Sequence, residues 1–120
     1  MILRAILFAS LVSFPMMAPA FAGSTGVIVQ SGGVNEANVS QSGPANTLTA
    51  VQNGYANSST VLQTGGYNNA MLGQAGVHNG LALGQIGSAN NGAVVQIGPN
   101  NLAGIGQVGP FNRALLNQWP

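Results

Sequence analysis

Among the side chains of this sequence that could do chemistry, carboxamides are the most frequent. Nine glutamines fall on a single register of eleven residues. They are Gln30, Gln41, Gln52, Gln63, Gln74, Gln85, Gln96, Gln107 and Gln118. A carboxamide is neither an acid nor a base near neutral pH, but its nitrogen donates two hydrogen bonds and its oxygen accepts two. The chemistry available is therefore hydrogen bonding that recurs along the chain, which makes the internal repeat the first feature to interpret.

A glycine follows two residues after each of the first eight glutamines, and an asparagine follows three residues after the glycine. The glycines are Gly32, Gly43, Gly54, Gly65, Gly76, Gly87, Gly98 and Gly109. The asparagines are Asn35, Asn46, Asn57, Asn68, Asn79, Asn90, Asn101 and Asn112. Eight units thus share Gln-x-Gly-x-x-Asn without an insertion, which indicates one structural unit copied along the chain.

The spacing within a unit distinguishes a strand from a helix. A period of eleven residues is compatible with a right-handed helical coil, but a glycine and an asparagine in every unit would end a helix. Residues two apart repeat together instead, as in Asn35, Ala37, Val39 and Gln41. Since such residues share one face of a strand, these four columns are predicted to face inward. The Gly-x-x-Asn segments are predicted to be tight turns, in which glycine supplies unusual backbone angles and asparagine tolerates the left-handed region.

These elements predict an all-β fold, a two-sheet β-solenoid of stacked strand-turn-strand layers. Each unit supplies one strand of about five or six residues and one turn, so two units of eleven make a layer of 22 residues. Stacking lets each inward amide donate to one neighbouring layer and accept from the other, whereas a buried unpaired amide would cost about 1–3 kcal/mol. The glutamines and asparagines are therefore predicted to form ladders. The amides of the outermost layers lack a neighbour on one side, and another copy of the protein supplies their hydrogen-bond partners best. The solenoid is therefore predicted to be amyloid-forming.

Three segments follow from the composition along the chain. Residues 1–22 have the pattern of a secretory signal peptide, with Arg4 near the start, an apolar run, and small residues before Gly23. The apolar run of about ten residues is half of what a membrane-spanning helix needs. Residues 23–29 are interpreted as a short N-terminal lead-in and residues 30–120 as the repeat domain, so the protein is expected to be secreted.

The sequence offers almost no charge. Its formally charged side chains are Arg4, Glu36 and Arg113, or 2% of the chain, where a typical globular chain has about a quarter. No nucleic acid partner is expected from so little positive charge. The single histidine, His78, lies in a turn without a cysteine, an aspartate or a second histidine to complete a metal site. Catalytic, cofactor-binding and metal sites are all expected to be absent, and the protein is expected not to be an enzyme.

The pattern Asn-x-Ala-x-x-x-Gln-x-Gly-x-x-Asn is intact from Asn35 to Asn46 and again from Asn68 to Asn79. It resembles the curlin repeat of curli, the extracellular amyloid fibres of Gram-negative bacteria. The resemblance implies a secreted fimbrial subunit that self-assembles on the cell surface, where it contributes to biofilm matrix and adhesion. It also implies partners, namely further copies of the chain, a nucleator subunit, and an outer-membrane export pore with periplasmic accessory proteins.

Two roles within this family, and one outside it, stay open at this point. The sequence resembles the major subunit more than the minor nucleator, because the nucleator's basic C-terminal segment has no counterpart before Pro120. Outside the family, the alternative is a soluble β-solenoid binding module of the ice-binding type. Such modules need a flat outward array, usually of threonine, whereas one outward column here begins Glu36, Thr47, Ser58.

Overall fold

The computed structural model describes residues 23–119, which form β-strands joined by short turns. The strands are β1 (Thr25–Gly32), β2 (Glu36–Ser42), β3 (Thr47–Tyr55), β4 (Ser58–Gly65), β5 (Asn69–Val77), β6 (Gly80–Gly87), β7 (Asn91–Ile97), β8 (Leu102–Val108) and β9 (Arg113–Gln118). Within this range there is no helix long and apolar enough to cross a membrane. The predicted signal peptide, residues 1–22, lies outside the described residues.

The strands alternate between two parallel sheets. Sheet A has the order β1-β3-β5-β7-β9 and sheet B the order β2-β4-β6-β8. Neighbouring strands pair residues that are 22 positions apart, so that Gln30 aligns with Gln52 in sheet A and Gln41 with Gln63 in sheet B. The chain therefore climbs one layer for every two units, and within the described residues it ends on β9 as a half layer. This arrangement confirms the predicted two-sheet β-solenoid.

Eight of the nine described strands are longer than the five or six residues predicted, reaching nine in β3 and β5, while β9 has six. The additional pairing lies at the turn, where Gly32 aligns with Gly54 in the next layer. Because identical turns stack on one another as the strands do, the ladder of backbone hydrogen bonds continues where the chain bends. The first strand begins at Thr25, so it includes most of the lead-in, residues 23–29.

The space between the sheets is filled by the columns predicted to face inward. Along β4 the side chains alternate between exposed and buried from one residue to the next, as a strand with one face in the core requires. The two middle columns are mainly apolar, and Leu48, Ala50 and Val94 in them have no exposed surface. Ser59 stands in one of these apolar columns, where its hydroxyl oxygen is buried without a partner. The columns on either side are carboxamides, so half of the inward columns are polar.

Most of the turn glycines are required both by their backbone angle and by the backbone of the next layer. Gly54 has a φ of 120°, a region that L side chains rarely adopt. A Cβ built there would also overlap the carbonyl oxygen of Gly76 in the next layer. The asparagine of the motif is not left-handed, in contrast to the prediction. In several turns the residue before the asparagine is the left-handed one, as at Ala45 and His78 with φ of 59° and 58°. The chain has already returned to extended backbone at the asparagine.

We expect Gly54→Ala to lower the free energy of unfolding by more than about 2 kcal/mol, since it adds left-handed strain to the overlap with Gly76. Gly84→Ala is the matched control, because a Cβ at Gly84 meets nothing within 4 Å. A glycine-to-alanine change in unstrained backbone is expected to be neutral or to stabilise by about 0.5 kcal/mol. Denaturant unfolding followed by circular dichroism measures both, and equal effects of the two changes would contradict this account of the turn.

Candidate functional site

The glutamines form two continuous ladders through the centre of the molecule, one for each sheet. In every layer Nε2 donates to Oε1 of the glutamine in the next layer, over 2.5–2.9 Å. The ladder of sheet A joins Gln30, Gln52, Gln74, Gln96 and Gln118. The ladder of sheet B joins Gln41, Gln63, Gln85 and Gln107. Gln63, Gln85 and Gln96 are completely buried.

From Gln41 onward, the second N–H of each glutamine amide joins the two sheets. Gln52 Nε2 donates to the backbone carbonyl of Glu36, at 2.9 Å, and Gln63 Nε2 to that of Thr47, at 3.1 Å. In both cases the acceptor lies sixteen residues earlier, at the start of the preceding strand on the opposite sheet. A glutamine therefore satisfies one neighbour along the stack and one across the core. A leucine of similar size offers no donor, and a glutamate offers acceptors only.

The asparagine columns match the predicted amide ladder only in part. Among the described residues the side-chain bond of such a ladder joins two pairs, Asn57 Nδ2 to Asn35 Oδ1 and Asn112 Nδ2 to Asn90 Oδ1. Asn35 Oδ1 accepts from the backbone N–H of Asn57 in the next layer, at 3.1 Å, and this bond recurs along both asparagine columns. Asn46 Nδ2 donates to the carbonyl of Ser42 in its own turn, at 2.9 Å. The side chain is one methylene shorter than glutamine and sits at the corner, where these backbone groups are within reach. It pins the turn to the strand that follows.

The two kinds of column run in opposite directions along the stack. In the glutamine ladders the earlier layer donates to the later one, whereas in the asparagine columns the later layer donates to the earlier one. At the N-terminal end, Gln30 Oε1 is buried without a partner. At the C-terminal end, Gln107 and Gln118 use one amide N–H for a backbone carbonyl, and within residues 23–119 the other finds no acceptor. The two ends are therefore complementary.

The charged and titratable side chains do not converge on a site. His78 is exposed in its turn, where its ring lies edge-on to Tyr55 at 6.3 Å. Glu36 opens β2 near one end of the solenoid and Arg113 opens β9 at the other. Among the described residues no group of three histidine, cysteine, aspartate or glutamate side chains could hold a metal ion. Hydrogen-bonding groups without a partner strand are instead found at the two ends of the described solenoid. The edge strands are β1 and β2 at one end and β8 and β9 at the other.

A parallel β-solenoid with continuous amide ladders and open ends is a structural repeat fold. Residues 43–76 match the family model of the curlin associated repeat. This segment includes β3, β4 and most of β5, together with the turns between them. These residues therefore contain the curlin associated repeat, and the match confirms the resemblance drawn from the sequence. Neither the curated proteins nor the solved structures gave a match to the chain.

We expect Gln63→Leu to destabilise the fold by about 3 kcal/mol or more. The change leaves three groups without their partner: Gln41 Nε2, Gln85 Oε1 and the Thr47 carbonyl. Each buried orphan costs about 1–3 kcal/mol. Gln118→Leu is the matched control at the end of a ladder, where the side chain is partly exposed and the buried group that loses a partner is Gln96 Nε2, so we expect a smaller loss of about 1 kcal/mol. Denaturant titration of both variants tests this, and similar losses would show that the ladder adds little to stability.

Proposed function

We propose that this protein is a secreted, major-type subunit of extracellular curli-like amyloid fibres, which form biofilm matrix and attach cells to surfaces. The observation that carries the proposal is the complementarity of the two ends. Gln30 Oε1 is an unpartnered buried acceptor at one end, and the amides of Gln107 and Gln118 are available as donors at the other. A second copy of the chain supplies both partners in the geometry that every internal layer already uses.

The strand edges at the two ends support the same proposal. Edge strands of stable monomers are usually protected by charges, proline, bulges or a covering segment. Among the described residues β1 and β8 span eight and seven residues and pair along one side only, and neither contains a charge or a proline. The charge of Glu36 on β2 and of Arg113 on β9 is the protection that remains. Such edges favour the addition of further parallel strands over the monomeric state.

The cellular setting follows from the sequence and the family. The signal-like pattern of residues 1–22 supports passage through the inner membrane. For the later steps we propose an outer-membrane export pore with periplasmic accessory proteins, and a nucleator subunit on the cell surface. These partners are those that curlin repeats imply. The regular repeat, in which eight units keep Gln-x-Gly-x-x-Asn, supports the role of the major subunit that the nucleator would start.

We expect the purified protein, without residues 1–22 and diluted from denaturant, to form fibres after a lag. Thioflavin fluorescence follows the kinetics, and fibre diffraction should show reflections near 4.8 and 10 Å, the spacings between strands and between sheets. Seeds of preformed fibre should remove the lag.

A stable monomer with the circular dichroism of strands and no fibres would overturn the proposal. In that case the ends would be capped in solution, and a soluble β-solenoid binding module would be the better explanation. Analytical ultracentrifugation on the same samples distinguishes the two results.

A further inference from the structure

The two sheets of the described solenoid are unequal, with five strands in sheet A and four in sheet B. This matters if copies stack end to end. If each copy were added by translation alone, one side of the fibre would gain five strands and the other side four. The four-strand side would then lack one strand at every junction and leave a gap of one strand spacing, about 4.8 Å. The backbone groups that face this gap would have no partner.

We propose that successive copies stack head to tail with a half-turn about the fibre axis, so that sheet A of one copy continues into sheet B of the next. This inference rests on the proposed function as a fibre subunit. In this arrangement β1 of each copy pairs with β8 of the copy before it, and β2 pairs with β9. Each side of the fibre then alternates five strands with four, and both sides gain nine strands for every two copies.

The head-to-tail direction follows from the polarity of the amide columns. With the half-turn, Gln30 of the incoming copy aligns with Gln107, whose free amide N–H meets the unpartnered Gln30 Oε1. In the same way Gln118 donates to Gln41. A head-to-head junction would instead place acceptor against acceptor. The half-turn therefore extends both ladders without a break.

The two charges of the described residues support the half-turn independently. Internal layers align residues 22 positions apart, so that Glu36 aligns with Ser58 and Asn91 with Arg113. When β2 of the next copy continues β9 in this register, its Glu36 aligns with Arg113. The carboxylate and the guanidinium, both exposed in the single chain, become a cross-strand pair of opposite charge, which is stabilising. Stacking by translation would place Arg113 beside Thr25 and leave each charge without its counterpart.

The sequence allows the two sheets to exchange places because every unit carries the same glutamine, glycine and asparagine. The amide bonds are the same in both ladders, at 2.6 Å for Gln41 to Gln63 in sheet B and 2.7 Å for Gln52 to Gln74 in sheet A. A strand of sheet A therefore finds on sheet B the same columns of acceptors and donors that it meets on its own sheet.

Disulfide trapping in fibres tests the arrangement, since the chain has no cysteine of its own. In the half-turn junction Val29 of β1 aligns with Gly106 of β8, whereas after translation it aligns with Asn117 of β9. All three are strand positions outside the buried columns, and aligned neighbours about 4.8 Å apart meet the distance that a disulfide needs. The pair V29C with G106C should give covalent multimers about tenfold more efficiently than V29C with N117C, and the reverse result would overturn the proposal.

Helical reconstruction of the unmodified fibre provides a second measurement. The half-turn predicts a rotation near 180° and a rise of half of nine strand spacings, about 22 Å per copy. A rotation near 0° with a rise of about 24 Å would overturn it. If no fibre forms, the proposed function itself fails, and that outcome is distinct from fibres with the other symmetry.

The charge pair gives a functional test in solution. E36R or R113E alone places like charges at every junction, and we expect seeded elongation to slow about two- to fivefold. Combining both changes restores the pair and should restore the rate. The control E36S with S58E keeps the net charge but moves the carboxylate one layer away from the junction. A control that elongates as fast as the unmodified protein, or a double reversal that does not recover, would contradict the pairing of Glu36 with Arg113.

Discussion

The structure depends on one interaction, the glutamine carboxamide that donates both of its N–H groups. One N–H donates to the side-chain oxygen of the glutamine in the next layer, and the other donates to a backbone carbonyl across the core, as Gln52 does with Gln74 and Glu36. Because both partners lie at fixed steps along the chain, an inserted or deleted residue in a unit would separate them. The strict period of eleven residues is the sequence expression of that geometry.

A core that is half carboxamide is stabilised differently from an apolar one. The apolar columns contain many small residues, such as Ala37, Ala50 and Ala70, so they bury little hydrocarbon in each layer. Hydrogen bonds between buried groups polarise one another along a ladder, and an unpaired buried amide is costly. Since a slip by one residue would turn every glutamine outward, the ladders fix the register more strictly than interchangeable methyl groups could.

The sequence was sufficient to predict the solenoid, the four inward columns and the layer of 22 residues, because each follows from periodicity. The direction of a hydrogen bond cannot be predicted from periodicity. Periodicity could not show that the recurring bond of the asparagine columns comes from a backbone N–H, whereas the glutamines bind one another side chain to side chain. That difference depends on one methylene and on a position at the corner. The sequence analysis also predicted the left-handed backbone conformation at the asparagine. In turns such as the one at Ala45, the bend is completed one residue earlier.

The stacked turns determine how far the units can diverge from one another. An alanine at Gly54 would be opposed by the backbone of Gly76 in the next layer, and the same relation holds between Gly32 and Gly54. The substitutions that a turn glycine tolerates therefore depend on the repeat in the next layer. Selection at these positions acts on the column as a whole, which keeps the copies of the unit alike where a chain of independent modules would drift apart.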